Sequence, residues 1–204
     1  MRKLGIVATV FAVLSFASLA SAQQGDAYFG LGTLLSSGTC VPNSIAVNGI
    51  LCPQKGGLYP NVGADVIFHK RFGAGFDIAW RGGQGQYGGV GGQPYRPILF
   101  SFNGVYQPRL GKKLGADLLG GIGWQSTRYY GFTNTVSCIY FYACYNSSNH
   151  FQINVGAGVR YYFFGHVFVR PEFRYYYINN NTADFTSSNV FRVGASIGYT
   201  IGPD

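Results

Sequence analysis

Apolar and non-apolar residues alternate with a period of two along most of the chain after residue 25, which is the period of a β-strand. Over 26–35, Ala27, Phe29, Leu31, Thr33 and Leu35 share one face. The same alternation predicts strands over 61–69, 72–81, 97–106, 114–125, 150–161, 167–177 and 190–200. In the sixth, Phe151, Ile153, Val155, Ala157, Val159 and Tyr161 oppose His150, Gln152, Asn154, Gly156, Gly158 and Arg160. No apolar face carries a charge. The opposite faces carry Asp65, Asp77, Asp117, Glu172, Arg81, Arg160, Arg170, Arg174 and Arg192. Pro171 interrupts the seventh strand and removes an N–H, so a bulge is expected there.

Composition decides which face is inside. Charged residues make up only 11% of the 204 residues, against 31 Gly, 16 Tyr and 17 Phe. A soluble β-protein would sort the other way, with a polar exterior rich in Lys and Glu. Strands of about 9–11 residues, tilted by about 45°, cross a bilayer. Connections alternate between long (near 36–60, 82–96, 127–149 and 178–189) and short (near 70–71, 107–113 and 163–166). These features predict an all-β chain: a closed, antiparallel, eight-stranded transmembrane β-barrel with up-and-down topology. Long loops belong outside the cell, and an even strand count puts both termini on the periplasmic side. Trp80, Trp124, Tyr175 and Tyr177 fall near the long-loop ends, and Phe68, Tyr106, Tyr161 and Tyr199 near the short-turn ends. Two such rims mark two membrane interfaces.

The first residues form a separate block. Arg2 and Lys3 precede an apolar run over 5–20, and Ala20-Ser21-Ala22 offers small residues for cleavage before Gln23. Residues 1–22 are expected to be a signal peptide and 23–204 an outer-membrane β-barrel domain. The formal charge of +8 includes those two leader cations, which leaves +6 on the mature chain. The aromatic content excludes a disordered chain, the unperiodic glycines exclude collagen, and the Gly, Tyr and Phe excess argues against a helical bundle.

The stretches AYFGLGTLL, NVGADVIFHKRFGAGFDIAW, LGADLLGGIGW, FQINVGAGVRYYF and VFRVGASIGYT share a Gly-x-Gly-hydrophobic texture with short basic or glycine turns. In this the chain resembles the small eight-stranded outer-membrane barrels, including the membrane domain of outer membrane protein A and the opacity-type surface proteins. The resemblance covers about residues 23–200. It implies a monomer in a Gram-negative-type outer membrane, surrounded by outer-membrane lipids and lipopolysaccharide and delivered by periplasmic chaperones to the barrel-assembly machinery. The peptidoglycan-binding domain of larger relatives is expected to be absent. The family usually ends on an aromatic residue, whereas here Tyr199 is followed by Thr200-Ile201-Gly202-Pro203-Asp204.

Four cysteines allow three pairings. Cys40 and Cys52 share the first long loop and Cys138 and Cys144 the third, and these loops stand across the barrel mouth from each other. Local disulfides Cys40–Cys52 and Cys138–Cys144 are therefore expected in an oxidising compartment. The spacings are wide for zinc, and no metal or cofactor is expected.

The inward charges are expected to pair within the lumen, since buried charge is tolerated only when paired and hydrogen-bonded. Inward glycines would leave room for the arginines. An excess of Arg hints at anion preference if water passes. Catalysis is not expected. His69 and His166 lie near the periplasmic turns, His150 begins a strand near Ser126, no acidic orienter is evident beside that pair, and Asp184 lies in the fourth long loop. A Gly-x-Ser-x-Gly elbow is missing from the sequence. The run over 82–92 lacks the features of a phosphate loop and reads as a surface hairpin. Scattered positive charge gives no nucleic-acid groove. The expected role is a structural barrel with disulfide-stiffened loops and an ion-paired lumen. The rival classes are a surface adhesion module, a narrow porin-like ion path and a lipid-modifying enzyme.

Overall fold

The computed structural model describes residues 24–42, 50–54, 56–87, 93–130 and 145–202. The leader expected over 1–22 and its cleavage site fall outside these residues.

Eight strands form the wall: β1 (Gln24–Ser36), β4 (Tyr59–His69), β5 (Phe72–Trp80), β7 (Gln93–Tyr106), β8 (Leu114–Tyr130), β9 (Tyr145–Phe164), β10 (Val167–Ile178) and β11 (Asn189–Ile201). Three short strands lie in the loops: β2 (Val41–Pro42), β3 (Ile50–Leu51) and β6 (Gly85–Tyr87). Each wall strand pairs antiparallel with its chain neighbour, and β1 pairs with β11 from Gly25↔Ile201 to Ser36↔Val190, which closes the cylinder. Closure satisfies every edge, the condition for a β-structure in lipid.

The outward row is apolar through the middle of the wall. Phe29, Val62, Phe102, Ile122, Ile153, Phe173 and Ile197 are all exposed. The inward row holds the charges. On β8 and β9 the outward row changes character where Trp124 faces Phe151; beyond that pair stand Ser126↔Asn149 and Arg128↔Ser147. From Leu114 to Trp124, a tilted strand climbs about 24 Å, close to the height of the apolar band of a bacterial barrel. Trp124 therefore stands at the long-loop edge of the apolar band although β8 runs on to Tyr130. Trp80, Tyr106, Tyr161, Tyr175 and Tyr199 also occupy outward positions, with Tyr106 stacked on Phe72 (centroids 4.6 Å apart) and Trp124 on Phe100 (4.9 Å).

One detail differs from expectation. Pro171 makes no bulge: β10 keeps one register on β9 from Val169↔Tyr161 to Glu172↔Gly158, and only the pairing of Arg170 and Pro171 lapses. A single missing N–H interrupts the ladder locally without an inserted residue. The register shift sits instead at Val167/Phe168, beside the short turn through Gly165 (φ 51°). The opposite short turn uses Lys70 at φ 51°.

Candidate functional site: the lumen and its outer mouth

Side chains from opposite walls meet in the bore. Near the short-turn end, Arg160 on β9 donates Nη1 to Asp26 Oδ2 (2.6 Å) and Nη2 to Asp117 Oδ2 (3.0 Å). Asp117 also accepts Arg170 Nη1 (3.2 Å), which lies 3.3 Å from Asp65 Oδ2. Arg170 Nη2 is 3.2 Å from Glu172 Oε2. Glu172 in turn contacts Arg174 and Arg192, and both arginines donate to Asp77 Oδ1, at 3.1 and 3.2 Å. The pairs form one continuous ladder from Asp26 to Asp77.

The ladder is buried throughout, and neutral groups complete it. Asn61 Nδ2 donates to Asp77 Oδ2 (3.1 Å). Asp26 accepts Thr200 Oγ1 (2.7 Å) and Gln107 Nε2 (3.1 Å). Arg170 stacks over the Tyr28 ring at 3.9 Å and Arg160 over Phe168 at 4.1 Å, a favourable use of the quadrupole away from water. Glycine makes room for these long side chains. A Cβ at Gly156 would lie 2.8 Å from Arg174 Cγ, one at Gly158 would lie 3.2 Å from Arg170 Cγ, and one at Gly75 would collide with the Asp65 carboxylate.

Of the nine charged residues expected in the lumen, Asp65, Asp77, Asp117, Glu172, Arg160, Arg170, Arg174 and Arg192 are brought together. Arg81 is not. It follows the last residue of β5 at the outer rim, beside Gly57 and Gly85, with its guanidinium 5.4 Å from the Tyr95 ring centre. Asp26 is the member that strand-face reasoning missed. It shares the parity of Tyr28, so its inward position was present in the alternation. Its inclusion gives four arginines against five carboxylates in the ladder. The expected arginine excess, and with it the hint of anion preference, is thereby corrected.

Toward the long-loop end the bore is closed by Leu34, Tyr59, Ala79, Leu99, Tyr176, Ile178 and Val190, all buried together. Above them the β10–β11 loop folds into the mouth. A 3-10 turn at Asn181–Ala183 places Asn181 inside, where its Oδ1 accepts Gln125 Nε2 (3.0 Å) and its Nδ2 donates to the Ser187 carbonyl (2.6 Å). Phe185 is buried against Tyr95, with ring centroids 5.4 Å apart. The first loop is stapled by the Cys40–Cys52 disulfide and joined to this lid by Thr186 N–H to the Cys52 carbonyl (3.3 Å) and by Ser37 Oγ to Ser187 Oγ (3.2 Å). Cys138 and Cys144 lie outside the described residues.

His150 belongs to this mouth too. Its Nε2 meets Asp184 Oδ2 at 2.8 Å and Ser148 Oγ at 2.9 Å, whereas Ser126 points to the other face of the wall. An acid is therefore present where none was evident from sequence. Hydroxyl and carboxylate meet the same ring nitrogen, unlike a hydrolase triad, in which nucleophile and acid sit on opposite nitrogens. The arrangement fastens the lid to β9. Among the described residues no group of three His, Cys, Asp or Glu side chains could hold a metal ion.

The closed cylinder of eight strands has solved counterparts. Neisserial surface protein A superposes with a TM-score of 0.57 at 12% identity, covering 88% of this chain and 97% of that one. The chain has the fold of the small outer-membrane barrels. Ail, the attachment invasion locus protein of Yersinia pestis, gives 0.54 at 12% identity over 88% and 99% of the two chains. The N-terminal β-barrel domain of OprF from Pseudomonas aeruginosa gives 0.53 at 12% over 87% and 97%. No protein-family model matches the sequence, and no curated protein matches it. Identity this low carries the architecture alone.

Proposed function

We propose that the chain is a structural barrel of a Gram-negative-type outer membrane, monomeric, with its long loops outside and both termini in the periplasm. It is not an enzyme. The observation that carries the reading is the continuous Asp26–Asp77 ladder beneath a folded apolar mouth. Both obstruct the bore, and the ladder also ties opposite walls together. An eight-stranded barrel has room for side chains and little more. Outer-membrane lipid, including lipopolysaccharide, surrounds the apolar band in this reading, and chaperones and the assembly machinery deliver the chain. The mature chain refolded into vesicles is expected to migrate as a compact band that shifts on boiling, and to give flat traces in planar bilayers. Regular unitary conductance steps would overturn it.

A second reading is favoured by the lid. The first long loop is stapled by its own disulfide and held to the fourth by hydrogen bonds, so the two present a preformed outer surface. Such a surface orders little on binding and loses little affinity to entropy. Binding of a host-cell or matrix protein by the folded barrel, lost when the Cys40–Cys52 loop is deleted, would support a surface adhesion module.

A further inference from the structure

Arg96 on β7 stands directly opposite Arg128 on β8, both on the outer face of the wall. Like charges opposite each other on neighbouring strands destabilise a sheet unless a counter-charge is supplied. Among the described residues none is free to supply one. Of its seven carboxylates, Asp26, Asp65, Asp77, Asp117 and Glu172 are spent in the lumen and Asp184 on His150; Asp204 lies outside the described residues. The two guanidiniums lean apart instead, Arg96 Nη2 to the Gly82 carbonyl (3.1 Å) and Arg128 over the Tyr145 ring (4.6 Å). Arg96 Nε is buried without a partner.

What lies beside and below the pair differs in kind. Ser126, Ser147 and Asn149 fill the outward positions around Arg128, a row of hydroxyl and amide groups. Under them a groove of about 270 Å³ opens on the lipid side, lined by Phe102, Ile122, Trp124 and Phe151. Two cations, a hydrogen-bonding shelf and an apolar groove thus follow one another down three adjacent strands, across the level of Trp124.

We propose that this face of β7, β8 and β9 binds a phosphorylated, acylated sugar lipid of the outer leaflet, and the inference rests on the outer-membrane reading above. The Arg96–Arg128 pair takes a phosphate monoester, whose charge of about −1.5 to −2 matches two guanidiniums better than the single charge of a phosphodiester. Ser126, Ser147 and Asn149 take sugar hydroxyls. One acyl chain lies in the Phe102–Trp124–Phe151 groove.

The test uses the mature chain folded in zwitterionic detergent, each variant first shown to give the boiling-dependent gel shift. Diphosphoryl lipid A, its dephosphorylated form, its deacylated sugar phosphate and phosphatidylglycerol are titrated separately. Wild type is expected to bind diphosphoryl lipid A most tightly. The double variant Arg96→Gln/Arg128→Gln is expected to bind it about thirtyfold more weakly, from about 1 kcal/mol for each basic side chain near a membrane surface. Lys112→Gln/Lys113→Gln, at the opposite mouth, is expected to bind as wild type does. Trp124→Ala weakens binding of the acylated lipid while leaving the deacylated sugar phosphate unaffected. Equal binding by the Arg double variant, or equal binding of phosphatidylglycerol, would overturn the site. Absence of the gel shift in wild type would strike the membrane-barrel reading instead, so the two failures are told apart.

Discussion

Arg174 Nη1 reaches Asp77 Oδ1 at 3.1 Å across the full width of the barrel, from β10 to the strand diametrically opposite, β5. Neither side chain has water to fall back on. Without Arg174, Asp77 keeps Arg192 and Asn61, but the buried ladder is left with three arginines against five carboxylates, so Arg174→Ala is expected to lower stability by about 3–5 kcal/mol. Replacing both by apolar residues of similar volume, Arg174→Met with Asp77→Leu, is expected to cost less than the single change. Urea midpoints of the compact gel band, for the two variants and wild type, check both statements.

The glycines opposite the ladder set a second expectation. Gly156 lies against the Arg174 stem and Gly75 against the Asp65 carboxylate. Gly156→Val or Gly75→Val forces those groups off their partners and is expected to cost about 1–3 kcal/mol, as overpacking does. Gly111, whose added Cβ would meet nothing within 4 Å, is the control site for alanine.

A third concerns charge in the bore. Truncating Arg170, Arg174 and Arg192 together to Ala opens space and leaves Asp65, Asp77, Asp117 and Glu172 short of partners. Any conductance in this triple variant is expected to select cations, because a ring of uncompensated carboxylates favours them. Reversal potentials in a salt gradient give the sign.

The lid gives a fourth. Cys40 and Cys52 are separated by 12 residues, so their bridge contributes at most about 3 kcal/mol through loop closure. Reduction, or Cys40→Ser/Cys52→Ser, is expected to leave the barrel folded while exposing the first loop and the Thr186–Ser187 segment. Limited proteolysis of intact vesicles, with and without reductant, reads this directly.

How much of this was legible in the sequence depends on what each residue faces. Strand centres were, because lipid on one side and charge on the other force a strict alternation; Ile122, Val155 and Val193 could be nothing but outward. The ends of β8 and β9 were not. Beyond Trp124 and Phe151 the wall leaves the lipid, Ser126, Arg128, Ser147 and Asn149 replace the apolar row, and the pairing continues without its hydrophobic signature. Arg81 has the same parity as Asp77 yet follows the end of its strand, where alternation no longer assigns a height. Phe185 was the one aromatic in an otherwise polar loop, and that isolation was the available sign that the loop turns inward. The contact of Asp184 with His150 joins residues from different hairpins, which no local pattern encodes.

The closing seam has a further consequence. β1 finds its second neighbour only in β11, and Asp26 is fixed there by Thr200 from the last strand and by Arg160 from β9. Until residue 200 arrives, the first strand therefore keeps a row of unpaired amides and a carboxylate awaiting its arginine. Sealing thus requires β11, and a chain still lacking it offers that open edge to any other copy nearby.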